Sequence, residues 1–246
     1  MYIFYFIVIY YFGYIKINIG VKEKTQVNVN DFNDYITDLK IFMDKVVLPD
    51  SKYKKVFLFG HSMGGGISAK FLEEYPNYFN AAILSSPMLE INTGSVNKTM
   101  AKLIAKIMVY SNNKNKFVMG QGPYTCKYDT ESAGTSSLAR YDYFYNIEKD
   151  YPSLPRGGAS YNWLLQAFKF SKSAIKNAYK ATAPILLFQA ENDTFVNSGG
   201  QNKFAEFAKN CTLIKIKNAR HELYREKDEI LFPYLEKVLD FYNKNL

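Results

Sequence analysis

The stretch Lys55-Val-Phe-Leu-Phe-Gly-His-Ser-Met-Gly-Gly-Gly66 decides how the chain is read: a short apolar run ends in Gly60-His61-Ser62-Met63-Gly64, and a helical pattern follows at once. A serine hydroxyl is a weak nucleophile unless a tight turn forces it out toward a base. Such a turn brings the strand and helix backbones so close that only glycine fits two residues to either side of the serine. Gly60 and Gly64 stand at those places, and Ile67, Phe71 and Leu72 then recur on one helix face until Pro76 ends the run. A Gly-x-Ser-x-Gly pentapeptide also arises by chance in loops. Here the strand before it and the helix after it supply the setting of a nucleophile elbow, with Ser62 at its tip.

Working outward, the helix that precedes this strand is signalled by Phe32, Tyr35, Ile36, Leu39, Phe42, Met43 and Val46 on one face, with Asn30 or Asp31 as cap and Pro49 just past the end. After the elbow helix, Ala81-Ala-Ile-Leu-Ser-Ser86 reads as a buried strand closed by Pro87. Strand, helix and strand alternate, which predicts an α/β fold with a mostly parallel sheet and right-handed crossovers. From residue 88 to about 180 that rhythm stops. Met100, Leu103, Ile104 and Ile107 mark one amphipathic helix and Tyr161, Leu164, Leu165, Phe168 and Ile175 another, with the aromatic segment Arg140-Tyr-Asp-Tyr-Phe-Tyr145 between them. A helical insertion between two sheet strands is expected to act as a cap over the strand ends. Lys98, Lys102 and Lys106 stripe the polar side of the first of these helices, which suits either solvent or an anionic interface. The sheet resumes at Pro184–Ala190, and Thr212–Lys217 supplies a further strand. A terminal helix over 226–245 points Ile230, Leu231, Leu235, Val238, Leu239 and Tyr242 inward and is expected to kink or restart at Pro233.

The chain has 246 residues, 48% hydrophobic and 22% charged, enough for one large globular domain or one domain with a lid, and not the composition of a disordered chain. The formal charge of +8 accompanies a joint abundance of Lys, Asn, Tyr, Ile and Phe, so solvated lysines account for it without a nucleic-acid surface, and no basic-aromatic binding motif occurs. Cys126 and Cys211 lack metal-ligand spacing and form no framework, which predicts two free thiols and no metal site. Residues 1–19 carry no charge before Lys16. The run is short for a spanning helix, which needs about 20 apolar residues, and it has neither the basic start nor the small-residue cleavage site of a signal peptide. A buried strand, a membrane anchor or signal, and a segment foreign to the fold all stay open.

Only two histidines occur. His61 immediately precedes the nucleophile inside the turn and is poorly placed to serve it. His221 follows a strand, on a loop from which an imidazole can reach the serine, and its ordinary pKa near 6.5 suits it to take and return a proton. The carboxylate that holds the imidazole in its productive tautomer is expected at Asp193, just after a buried strand and between serine and histidine in chain order. Glu191 is the nearest rival and Asp228 a more distant one. The oxyanion formed during attack needs backbone N–H donors, one from Met63 and one from a loop near the start of the fold.

Val27-Asn-Val-Asn-Asp-Phe-Asn-Asp-Tyr-Ile-Thr-Asp-Leu39, Gly60-His-Ser-Met-Gly-Gly65, Ser86-Pro-Met88, Gly157-Gly-Ala-Ser-Tyr-Asn-Trp163, Gln189-Ala-Glu-Asn-Asp193 and Ala219-Arg-His-Glu222 together resemble the lysophospholipase and monoacylglycerol-lipase branch of the α/β-hydrolases, with the Gly-Gly-x-x-Tyr-x-Trp segment closest to its bacterial lysophospholipases. The resemblance runs from about Gln26 to the C-terminus. It implies an α/β-hydrolase core over 26–87 and 181–246, a helical cap over 88–180, and a triad of Ser62, Asp193 and His221. It also implies a lipid ester substrate cleaved through an acyl-enzyme, with no cofactor, no metal and no nucleic acid. The expected location is cytoplasmic or peripheral to the inner face of the membrane. Family members carry several strands and a His-Gly oxyanion loop before the segment matching Gln26, whereas residues 1–25 are an atypical hydrophobic segment. The expectation is therefore an N-terminally truncated chain in which strand Val56–Phe59 exposes an edge. The alternatives are a catalytically weak or inactive fragment, or an amidase or peptidase on the same scaffold.

Overall fold

The computed structural model describes residues 5–9, 23–50, 55–152 and 155–246. Five short apolar runs pair side by side in chain order, all parallel: β1 (Tyr5–Ile9), β2 (Val56–His61), β3 (Ala81–Ser85), β4 (Ile185–Ala190) and β5 (Cys211–Ile216). Strands of a parallel sheet are covered on both faces and so read as continuous hydrophobic runs. The two faces separate with the period of two that the pleat imposes. Leu58, Ala82, Leu84, Ile185 and Leu187 enter one core, while Phe57, Ala81, Ile83, Leu186 and Phe188 enter the other. The edge of β2 that the sequence leaves open is paired, Tyr5 to Val56 through Ile9 to Gly60. The remaining readings of residues 1–19 fall outside the described residues. Among those that are described, no helix is long and apolar enough to cross a membrane.

The first core is covered by α1 (Asn33–Phe42), which continues through a π turn at Met43–Val47 into the short α2 (Leu48–Asp50), and by α3 (Ser62–Glu74). The helix therefore does not stop before Pro49 as the sequence suggested. The wider π turn advances the buried row by four residues, from Leu39 to Met43 to Val47, and this leaves the predicted inward Val46 exposed. Asp31 accepts from the Asn33 N–H at 2.8 Å at the start of this helix.

Between β3 and β4 lie α4 (Lys98–Tyr110), α5 (Leu138–Asp150, which takes up the aromatic segment) and α6 (Tyr161–Asn177). α6 is shared between two packings: Ala167, Phe170 and Ala174 join the first sheet core, while Leu164, Leu165 and Phe168 pack with Ala101 and Ala105 of α4. The inward face expected for α4 is corrected here. Two alanines one turn apart let α6 come close, so the helix docks through Ala101 and Ala105; Ile104 packs beside them as expected, while Met100, Leu103 and Ile107 turn to solvent, Ile107 at 57% exposure.

After β4 come α7 (Ser198–Phe207), β5 and α8 (Asp228–Lys244), which covers the second core. Leu231, Tyr234, Val238 and Tyr242 face the sheet. Tyr242 donates to the Leu58 carbonyl at 2.7 Å, and Tyr234 to Ser85 Oγ at 3.1 Å. α8 runs unbroken through Pro233, since a proline so near the helix start forgoes one intrahelical bond and the sheet-facing row on either side stays buried. Leu235 and Leu239, expected inward, are exposed because the two tyrosines occupy the row against the sheet. Cys126 and Cys211 are free thiols.

Candidate active site

At the end of β2 the backbone turns directly into α3, and Ser62, the first residue of the helix, has φ of +52°. That left-handed conformation is strained for a residue with a side chain and is held only because the turn is fixed from both sides. The close approach that the motif requires is measurable. A Cβ on Gly60 would lie 2.3 Å from Ser68 Oγ and 2.8 Å from the Gly64 carbonyl oxygen, and one on Gly65 would lie 2.8 Å from Pro87 Cβ. Gly65 thus shares the constraint that the sequence placed on Gly60 and Gly64. Ser68 Oγ donates to the Gly64 carbonyl at 2.7 Å, and the Met88 N–H to the Ser62 carbonyl at 2.8 Å, so the turn is bonded fore and aft. Gly60→Ala is expected to lower stability by about 1–3 kcal/mol through overpacking, read as a fall in the thermal midpoint, because backbone on the opposite side cannot yield.

The structure brings together the three side chains singled out above. His221 Nε2 lies 2.8 Å from Ser62 Oγ, and His221 Nδ1 lies 2.7 Å from Asp193 Oδ2. The carboxylate can only accept, so Nδ1 carries the proton and Nε2 presents its lone pair to the serine hydroxyl. The other carboxylate oxygen of Asp193 accepts from the backbone N–H of Phe195 at 2.8 Å and of Val196 at 3.0 Å, which fixes its rotamer. The side chains of Asp193 and His221 are each 6% exposed.

The rival carboxylates lie elsewhere. Glu191 accepts from the Asn218 N–H at 3.0 Å and pairs with Lys215 at 3.2 Å, contacts that hold its carboxyl below the usual range. Asp228 pairs with Arg140 at 2.5 Å. His61 is buried with Nδ1 3.1 Å from the Ser85 carbonyl, and its ring centroid is 4.7 Å from that of His221. Burial holds its pKa well below 6.5, so it stays neutral beside the His221 imidazole. Phe195 also stacks on His221, with centroids 4.9 Å apart.

Ser62 and His221 open into a cavity of ≈ 490 Å³ whose walls include Met63, Met88, Ile91, Trp163 and Val196. A second cavity of ≈ 300 Å³ adjoins it, sharing Ile91, Gln121, Ala159 and Trp163 and lying under α4. Met63 also stands in the first turn of α3, where backbone N–H groups have no intrahelical acceptor. The second oxyanion donor was expected from a loop before Gln26, and residues 10–22 fall outside the described residues. Val27 is not a substitute, since its N–H is taken up by the Gly158 carbonyl at 3.0 Å. Among the described residues no group of His, Cys, Asp and Glu could hold a metal ion.

Sequence reasoning missed Phe195, Arg156 and Gly134 as cavity-lining residues. Phe195 could have been found from its place two residues after Asp193. Gly134 carries no local signal, because a contact 88 residues away fixes it: its carbonyl accepts from the Glu222 N–H at 2.7 Å.

Residues 19–228 match the family described as serine aminopeptidase, S33. Lysophospholipase L2 of Escherichia coli K12 is 27% identical over 225 residues, covering 89% of this chain and 66% of that protein. Monoglyceride lipase of Mus musculus is 26% identical over 229 residues, covering 92% of this chain and 71% of the relative. The chain thus spans just under two thirds of the lysophospholipase. Among solved structures, monoglyceride lipase of Saccharomyces cerevisiae superposes with a TM-score of 0.66 at 19% identity, over 89% of this chain and 72% of the other. The monoacylglycerol lipase of Paleococcus ferrophilus does so with 0.65 at 18%, over 87% and 76%.

Proposed function

This chain belongs to the serine aminopeptidase S33 family of α/β-hydrolases, and on that premise we propose that it is a serine hydrolase cleaving the acyl ester of a lysophospholipid or monoacylglycerol. The observation that carries the reading is the relay from Asp193 through His221 to Ser62, with spacings of 2.7 and 2.8 Å, at the wall of a largely apolar cavity. Ser62 Oγ attacks the acyl carbon as its proton passes to His221 Nε2, and the Met63 N–H stabilises the oxyanion. The bond to the leaving alkoxide breaks, and that oxygen takes the proton from Nε2. Water then attacks the acyl-enzyme, gives its proton to Nε2, and Ser62 recovers it as the fatty acid departs. The adjoining cavity suits the acyl chain.

Relatives named for lysophospholipids and monoglycerides support an ester substrate, while the family's own description supports a second reading, an amidase or peptidase. The same relay serves both. Side-by-side turnover of a lysophospholipid, a monoacylglycerol and a proline amide decides between them: the two esters are hydrolysed, and preference for the amide would overturn the ester assignment.

Residues 88–180 act in this reading as the cap, and α4 meets a lipid surface. Its exposed Met100, Leu103 and Ile107 enter the interface while Lys102 and Lys106 meet anionic headgroups, Lys98 being paired with Glu90 at 2.9 Å, an arrangement that suits the inner face of a membrane. Replacing both Leu103 and Ile107 by Glu is expected to reduce binding to phosphatidylglycerol vesicles by about tenfold or more, measured by flotation, with turnover of a short soluble ester unchanged. Equal flotation of the variant and the parent would remove α4 from the interface.

A further inference from the structure

The loop that carries His221 is bonded to a part of the chain distant in sequence. Glu226, 0% exposed, directs its carboxylate to hydrogen-bond donors alone: the Arg220 N–H at 2.7 Å, the Ser136 N–H at 3.1 Å, the Ser136 hydroxyl at 2.5 Å and the Lys227 N–H at 3.3 Å. Around it, the Arg220 guanidinium donates to the carbonyls of Thr130, Ala133 and Thr135 at 2.8, 3.2 and 3.3 Å. Thr135 Oγ1 donates to the Arg225 carbonyl at 2.6 Å, and Arg140 donates to the Glu226 carbonyl. Gly134 closes the contact, for a Cβ there would lie 2.8 Å from Glu222 Cγ. Residues 130–140 belong to the insertion between β3 and β4, whereas 220–226 follow β5. One buried carboxylate thus gathers donors from both segments, and the residue directly after Arg220 is His221.

We propose that Glu226 is a positioning residue for His221, fixing the imidazole against Ser62 by fastening its loop to residues 130–137 of the insertion. The inference rests on the reading of Ser62, His221 and Asp193 as the reacting groups. It follows that the insertion and the imidazole move together: a displacement of residues 130–137 is transmitted through Glu226 to the spacing between Nε2 and Oγ. Glutamine in place of Glu226 keeps the volume but sets an NH₂ against a donor in either orientation, because one carboxylate oxygen accepts from the Arg220 N–H and the other from the Ser136 N–H, and neither backbone group can accept in return. The loop then shifts, and a displacement near 1 Å in a reacting group can cost about 10²-fold in rate.

The test uses the full chain with p-nitrophenyl butyrate. Glu226→Gln is expected to lower kcat by about 30- to 100-fold with KM changed less than threefold, and the rate of fluorophosphonate labelling falls in proportion. In the His221→Ala background, adding Glu226→Gln costs nothing further, since a residue that acts through the imidazole has nothing left to position. An equal loss in that background would mean general structural damage and overturn the inference, as would a kcat within twofold of the parent. Ser136→Ala, which removes a single donor to the same carboxylate, lowers kcat several-fold and decides the matter if Glu226→Gln does not fold; an unchanged kcat there also overturns it. Ser62→Ala run in parallel separates the two levels: hydrolysis that survives it removes the reacting groups themselves, whereas its loss together with an unaffected Glu226→Gln removes only the positioning role.

Discussion

Ser62→Ala is expected to lower kcat for ester hydrolysis by about 10⁶-fold, to the level left by cavity and backbone donors alone, while the thermal midpoint stays the same or rises. The size follows from covalent catalysis. Without Oγ no acyl-enzyme forms, and water would have to attack the ester directly, without a nucleophile held 2.8 Å from the base. The expected neutrality toward folding follows from the turn. Ser62 sits at a φ of +52°, its carbonyl accepts from the Met88 N–H, and its backbone course is set by the crowding at Gly60 and Gly65. The hydroxyl is not what holds the elbow. A steady-state assay with p-nitrophenyl butyrate and a melting curve measure both halves of this expectation.

Asp193→Asn is expected to cost about 10⁴-fold in kcat with little change in KM. Asp193 uses one oxygen to accept from the N–H groups of Phe195 and Val196 and the other to accept from His221 Nδ1. If the amide oxygen of the introduced asparagine keeps the two backbone bonds, its NH₂ faces Nδ1, which must then accept. The proton moves to Nε2, where it points at Ser62 and can no longer receive the hydroxyl proton. If the amide flips, the backbone bonds are lost instead. Glu191→Gln provides the contrast. Its carboxylate serves the Asn218 N–H and Lys215 rather than the imidazole, so the substitution should leave kcat within a few-fold of the parent, measured in the same assay.

The sheet and the elbow were legible because their signals are local. Parallel strands buried on both faces announce themselves as apolar runs, and the turn at Ser62 needs glycines at fixed offsets. With two histidines in the chain and His61 inside the turn, elimination points to His221. The helices were less legible where a partner decides which face turns inward. α4 has the pattern of an amphipathic helix, yet two alanines are its buried residues against α6, with Ile104 and Met108 packed beside them and Met100, Leu103 and Ile107 left outside. On α8, Tyr242 lies inward as its spacing predicts, but Tyr234 takes the sheet-facing row too, donating to Ser85, and hydrophobic periodicity alone ranks it below Leu235 and Leu239. A π turn at Met43–Val47 has no simple sequence mark, so helical periodicity selects Val46 where the structure buries Val47. Glu226 was invisible for a different reason. Its importance lies in donors contributed by Ser136 and Arg220, and only the folded chain brings those segments to one carboxylate.

The central claim is that Ser62 is the nucleophile and His221 its base. The most direct measurement is peptide mapping by mass spectrometry after reaction of the full chain with a fluorophosphonate. The account predicts a single stoichiometric adduct on Ser62, absent in Ser62→Ala and formed far more slowly in His221→Ala. An adduct on another residue, or labelling that persists in Ser62→Ala, would contradict it.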